Sequence, residues 1–377
     1  MAGIYIHIPF CRQACHYCDF HFSTNLSYKS QMIFALEQEL ILQRQYLKNY
    51  KIETIYFGGG TPSLLNEAEI NLLLNTIYAH YNVTSDVELT LEANPDDLNL
   101  NFLKSLKGLG INRLSIGIQS FSDEVLKFLN RIHTGKEAYK SISYAREAGF
   151  NNISIDIIYG IPIKNHKEWE ADLKTVEALI PEHISAYCLT IEPKTAFGAW
   201  VKKGKLIPVD DDFAALQFEN LVSYFQARGY EQYEISNFCL PERYSKHNTN
   251  YWRQENYLGI GPGAHSFNGY SRQFNISHNI KYIKSIENGD IPFELDPLSS
   301  SDKINEYIMT SLRTRWGCDF NKIQNDYDFD IYQNNMEYID RLIALEYGML
   351  ENNVLFLSSK GKLLADKIAS DLFSIME

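Results

Sequence analysis

Cys11, Cys15 and Cys18 stand four and three residues apart in the run HIPFCRQACHYCDF. Three thiolates on one short loop can hold three irons of a four-iron cluster and leave the fourth iron open to another ligand. They cannot all pair among themselves as disulfides, and a closed zinc site needs a fourth donor. His7, His16 and His21 are close enough in the chain to supply one. A zinc site and a metal-free loop therefore stand beside the cluster as readings of this spacing. The remaining cysteines, Cys188, Cys239 and Cys318, are scattered and read as core or surface thiols, a usage that suits a reducing compartment.

Other residues of possible chemical use are spread along the chain. The segment Phe57 to Ser63 reads FGGGTPS, in which consecutive glycines let a ligand approach backbone N–H groups. It lacks the lysine and spacing of a phosphate loop. Glu92 in LEANP, Gln119 in IGIQSF, Arg131 in LNRIHT and Asp156 in IDIIYG are polar residues isolated among apolar neighbours. A carboxylate buried without partners costs several kcal/mol, so Glu92 and Asp156 each need a hydrogen-bond partner or a ligand. A structural pair such as Arg131 with Asp156 would serve equally, and Arg113 reads as strand structure. His247 in HNTNYW combines an imidazole with aromatic faces that suit a flat macrocycle such as haem, although a lone histidine is more often a hydrogen-bonded structural residue. GIGPGA at 259–264 has no βαβ context to make it a dinucleotide loop.

Elements that position these residues follow from hydrophobic periodicity. Strands are expected at Ile4 to Ile8, Thr54 to Phe57, Val87 to Glu92, Arg113 to Gly117, Asn152 to Ile157 and His183 to Leu189. Helical patterns fall at Tyr28 to Leu47, Glu67 to Tyr78, Leu100 to Lys107 and Lys136 to Ala148. Serial strand–helix units imply a parallel sheet, either doubly wound or an open (β/α) barrel. Cys11, Gly58, Glu92, Gln119 and Asp156 end or follow successive strands, as the carboxyl face of a barrel requires, so a partial (β/α)6 barrel over 1–230 is favoured. An irregular connecting segment follows at 231–297. From 298 to 377 helices and a short hairpin, GMLENNVLFLS, indicate an α+β winged-helix-like domain, for which a packing role suits the acidic charge better than DNA binding.

The bulk numbers set limits. A chain of 377 residues that is 45% hydrophobic and 22% charged is globular and can bury a sizeable core. No apolar run is long enough to span a bilayer, and GIYIHI begins almost at once without a leader pattern, so a cytoplasmic protein is expected. A formal net charge of -12 argues against nucleic acid as a partner.

Taken together, CRQACHYC, GGGTPS, LEANP, IGIQSF, IDIIYGIP and HNTNYW resemble the radical S-adenosylmethionine family, in the branch related to oxygen-independent coproporphyrinogen III oxidase. Within that branch the chain is most similar to the haem-chaperone group. The resemblance implies a [4Fe–4S] cluster on Cys11, Cys15 and Cys18, with S-adenosylmethionine on the open iron. It places Tyr5 and Tyr17 on the nucleoside side, Gly59, Gly60 and Thr61 near the amino acid part, and Glu92, Gln119, Arg131 and Asp156 at contacting polar positions. It makes His247 a candidate haem ligand and an acceptor protein, for instance a respiratory one, a partner. The oxidase carries a fourth cysteine two residues beyond the third and an extended N-terminal segment. Phe20 and a strand starting near residue 3 stand in their place here. Haem binding and delivery is thus the implied function, with oxidative decarboxylation of coproporphyrinogen as the alternative.

Overall fold

Alternation within the strands determines what the sheet encloses. The computed structural model describes residues 1–163 and 165–374. Six strands run parallel in chain order: β1 (Ala2–Ile8), β2 (Ile52–Gly59), β3 (Val83–Ala93), β4 (Arg113–Gln119), β5 (Ile153–Tyr159) and β6 (His183–Cys188). Successive side chains of a strand point to opposite faces. One set, including Ile4, Ile6, Ile55, Phe57, Leu89, Leu91, Ile116 and Ile155, is buried in the main core against the crossover helices. The other set is polar and faces inward, with Tyr56, Glu92, Ser115, Asp156 and Ser185 lining a cavity. Apolar burial outside and polar residues inside give a partial barrel with an open, functional interior.

Residues 231–297, expected as an irregular connection, extend this sheet at both edges. Strand β8 (Asn237–Cys239) pairs antiparallel with β6 and β7 (Glu231–Glu234) antiparallel with β8, while β9 (Asn256–Ile260) pairs parallel with β1. Beyond β9 lie β10 (His265–Phe267), β11 (Ser271–Asn275) and β12 (Phe293–Pro297), which complete twelve strands in the order β12-β11-β10-β9-β1-β2-β3-β4-β5-β6-β8-β7. These strands are three to five residues long, too short to show a period of two in the sequence.

A second core lies C-terminal to the sheet. Ile304, Ile308 and Leu312 of helix Ser300–Leu312 pack with Ile339, Leu355 and Ile368. The small sheet there has the order β13 (Cys318–Asp319), β15 (Val354–Leu357), β14 (Gly348–Glu351). Asn352 and Asn353, at φ 51° and 64°, turn the expected hairpin between β14 and β15, and asparagine is one of the residues that tolerates such angles.

The edge strands are tied to helix Lys29–Leu42 by a buried carboxylate. Glu39, fully buried, accepts from Gly261 N–H at 2.7 Å, Asn275 Nδ2 at 2.6 Å, Tyr282 Oη at 2.5 Å and Gln43 Nε2 at 3.4 Å.

Candidate functional site

Cys11, Cys15 and Cys18 lie on the loop after β1 and line one cavity of about 640 Å³, a size suited to a small-molecule ligand. The loop's ends are closed by Cys11 N–H donating to Ser23 O and Ser23 N–H donating to Pro9 O. Its flank is held by reciprocal amide bonds: Gln13 Nε2 to Asn130 O at 2.8 Å and Asn130 Nδ2 to Ala14 O at 2.7 Å. Thr61 Oγ1 donates to Cys11 Sγ at 3.4 Å and Arg131 Nη1 to Cys15 Sγ at 3.5 Å. The Thr61 contact favours thiolate at Cys11. Burial outweighs it there and pushes both Cys11 and Cys18 up to about 11. A positive metal centre would reverse that balance, with proton release on loading.

The donor set fits a cluster with an open iron. His7, His16 and His21, the possible fourth ligands of a zinc site, do not line the cavity. His7 Nε2 meets His21 O at 2.8 Å, His16 Nδ1 meets Phe128 O at 2.9 Å, and His21 Nε2 meets Asn279 Oδ1 at 2.6 Å. Each histidine thus uses a ring nitrogen to fasten the loop.

The glycine run forms the adjoining wall. Gly59 has φ +104°, and a Cβ there would lie 2.5 Å from His7 Nδ1. At Gly60 a Cβ would lie 2.6 Å from Phe10 O and 2.8 Å from Ile8 O, the backbone leading into Cys11. Gly60, Gly59 and Thr61 also line the cavity, so close packing and ligand access both act here. Gly60→Ala is expected to lower stability by about 1–3 kcal/mol in urea denaturation and to reduce iron loading, because the cysteine segment must shift to admit the methyl group.

Further residues of the site come from the ends of β3, β4 and β5. Glu92 accepts from Tyr56 Oη at 2.8 Å and Gly59 N–H at 3.1 Å. Burial, with the charge of Asp156 adding, pushes Glu92 up to about 7 while these donors pull it down. Gln119 has φ 65° at a register shift between β4 and β5. A bulge of this kind re-aims a side chain, and Gln119 lines the cavity. Arg131 Nη2 donates to Asn94 Oδ1 at 2.6 Å and Gly117 O at 2.8 Å. It does not pair with Asp156, whose carboxylate accepts from Ser115 Oγ at 3.2 Å and Ser154 Oγ at 3.4 Å. Tyr17 lines the cavity beside the cysteines.

Two expected site residues are not in the cavity lining. Tyr5 is beneath the cavity, with its Oη 3.2 Å from His7 Nδ1, and is absent from the lining. His247 is 2% exposed, with Nδ1 2.8 Å from Thr54 Oγ1 and Nε2 3.1 Å from Tyr251 Oη. Both ring nitrogens are therefore engaged inside the barrel, Nδ1 by a threonine and Nε2 by a tyrosine hydroxyl. Conversely, Arg113 is 1% exposed inside the barrel, where Nε and Nη1 have no hydrogen-bond partner and its charge acts on Glu92 and Asp156. Its signal was the polar alternation Arg113, Ser115, Gly117, Gln119 within an otherwise apolar strand.

Comparison with known proteins places this architecture. The model of the radical SAM superfamily matches residues 5–176. Over 373 residues the chain is 36% identical to the haem chaperone HemW of Bacillus subtilis, covering 98% of each protein. This chain belongs to the HemW family. Other HemW relatives are those of Lactococcus lactis, 33% identical over 97% of this chain and 95% of the relative, and Escherichia coli, 38% identical over 70% and 69%. Among solved structures, the coproporphyrinogen III oxidase HemN of Escherichia coli, a radical SAM enzyme, superimposes with a TM-score of 0.86 at 23% identity over 99% of this chain and 90% of that one. That likeness fixes the partial-barrel fold of this HemW-family chain. No helix among its described residues is long and apolar enough to cross a membrane.

Proposed function

We propose that this HemW-family protein binds haem and passes it to an acceptor protein, using a [4Fe–4S] cluster and S-adenosylmethionine as resident cofactors. Cys11, Cys15 and Cys18 would hold the cluster, which when bound supplies electron transfer and an iron site for S-adenosylmethionine. Thr61 and Arg131 would tune two of the thiolates, while Glu92, Gln119 and Asp156 present polar groups to the cavity. The observation that carries the reading is the three-thiol cavity with Phe20, 72% exposed, at its lining where the oxidase branch has another cysteine. The full-length likeness to proteins named haem chaperones supports it.

The test is anaerobic. Reconstituted protein with reductant, S-adenosylmethionine and coproporphyrinogen III is expected to form no protoporphyrinogen, while hemin titration saturates at one equivalent per chain. Appreciable decarboxylation would establish the oxidase alternative instead.

A further inference from the structure

We propose that Arg113 is a positioning residue that acts through Glu92 and Asp156, fixing both as hydrogen-bond acceptors toward the ammonium or hydroxyl donors of the cavity's ligand. The inference rests on the reading of the cavity as an S-adenosylmethionine site. Arg113 opens β4, and Ser115, two residues on, shares its inner face. Across the sheet Arg113 is in register with Thr90, and Ser115 with Glu92. Ser115 Oγ lies 3.2 Å from each carboxylate oxygen of Asp156. Arg113 therefore enters the barrel one pleat, about 7 Å of strand, below Glu92 and below the hydroxyl that holds Asp156. Ser115, Glu92 and Asp156 line the cavity and Arg113 does not, so it acts on a ligand only through them.

The bonding of Arg113 itself is incomplete. It is 1% exposed, Nε and Nη1 meet no acceptor, and among the described residues it joins no ion pair. Thr90 Oγ1, in register beside it, is equally unpartnered. A guanidinium keeps its proton in a protein, so burial does not discharge it. An apolar chain of like volume commonly serves packing as well as a buried charge or better, so packing alone does not account for an arginine here. What the charge meets is the two carboxylates above it. Burial drives Glu92 up to about 7 and raises Asp156 as well. The hydrogen bonds of Tyr56 and Gly59 to Glu92 and of Ser185 to Asp156 oppose that rise, and the charge of Arg113 opposes it at both.

No other group packed around these three supplies the same charge. Burial raises the hydroxyls of Tyr5 from β1, Tyr56 from β2, Tyr187 from β6 and Tyr251 from helix Lys246–Trp252, which stay neutral. It lowers the imidazoles of His183 and His247, and raises Tyr233 on β7 and Cys239 on β8, so these are neutral too. Arg131, at the cavity wall, is spent on Asn94, Gly117 O and Cys15. An ionised carboxylate only accepts hydrogen bonds, whereas a protonated one offers its own O–H against the ligand's donors. Without Arg113, Glu92 keeps its proton to higher pH, and a donor ligand needs more alkaline solution to bind.

The experiment follows Glu92 itself and then its ligand. Infrared pH titration of the full chain, before reconstitution, resolves the protonated carboxyl band that Glu92→Gln removes. In Arg113→Met that band is expected to persist to a pH about one unit higher, and in Arg113→Lys, which keeps the charge, to stay near its original place. Equilibrium dialysis of S-adenosylmethionine with the anaerobically reconstituted chain is expected to show the same displacement of the pH midpoint in Arg113→Met. The affinity reached in alkaline solution is not weakened, because no ligand contact is lost. An unmoved band in Arg113→Met, or binding weakened equally at every pH, overturns the inference and leaves the arginine a packing role. A displaced band in a protein that binds no S-adenosylmethionine supports the charge assignment and overturns the cofactor reading. Should Arg113→Met fail to fold, Asp156→Asn with and without Arg113→Met carries the same comparison beside a single carboxylate.

Discussion

Cys15→Ser protein, reconstituted anaerobically with iron and sulfide, is expected to hold both at background level. The serine oxygen is a hard donor that stays protonated at neutral pH, whereas cluster iron selects thiolates. Cys15 is also the cysteine whose sulfur accepts from Arg131, so its loss removes an anion and strands a buried guanidinium N–H. The informative companion is Cys188→Ser. Of the three scattered cysteines only Cys188 lines the cavity, so it is the remaining thiol to test as a fourth ligand. Full iron and sulfide content in Cys188→Ser leaves the fourth position to an exchangeable ligand. Loss of content in Cys188→Ser, or retention in Cys15→Ser, refutes the three-thiolate assignment.

Glu39→Ala is expected to cost about 3–5 kcal/mol in urea denaturation, the scale of removing one side of a buried charged network. The substitution leaves Tyr282 Oη and Gly261 N–H without their acceptor and Asn275 Nδ2 with only Gly261 O in a dry interior. Glu39→Gln keeps the shape and one carbonyl acceptor and should recover part of the loss. Two residues fastened by this region, Asn279 and Tyr282, share helix Asn279–Glu287, and Asn279 holds His21. Iron loading should therefore fall in Glu39→Ala as well. A change below about 1 kcal/mol, the size of a surface substitution, would show that the network contributes little.

What the sequence disclosed depended on how far each signal reaches along the chain. All six parallel strands are visible as β-branched runs, because each is buried on its outer face and carries consecutive apolar alternates. Their ends differ: β3 starts at Val83, not Val87, since its first residues are partly exposed and carry no apolar signal. The C-terminal helical pattern after the hairpin is two helices, Ser359–Lys362 and Ala365–Asp371. There Gly361 packs so closely on Tyr347 that a Cβ would lie 1.9 Å from its carbonyl oxygen, a tertiary contact outside any periodicity.

Within the site, spacing alone brought the three cysteines together, and polar residues in apolar strands marked Glu92, Gln119 and Asp156. Pairings were not legible. Arg131 meets Asn94 and Cys15 in place of Asp156, and the charge that balances both carboxylates comes from Arg113. The hydrogen bonds from His247 to Thr54 and Tyr251 were equally hidden, because the sequence does not show which hydroxyls an imidazole meets.

The cysteine loop is synthesised early but fastened late. His21 is locked by Asn279, 258 residues further on, and helix Lys29–Leu42 by Gly261, Asn275 and Tyr282. A nascent chain displaying its thiols outside the ribosome still lacks the partners that shape their cradle. Contacts of such separation form slowly, after the intervening units have folded. A cluster on these thiols would be held firmly only once residues 261–282 have been made, and scavenging of exposed thiols during synthesis is the hazard this order of assembly creates.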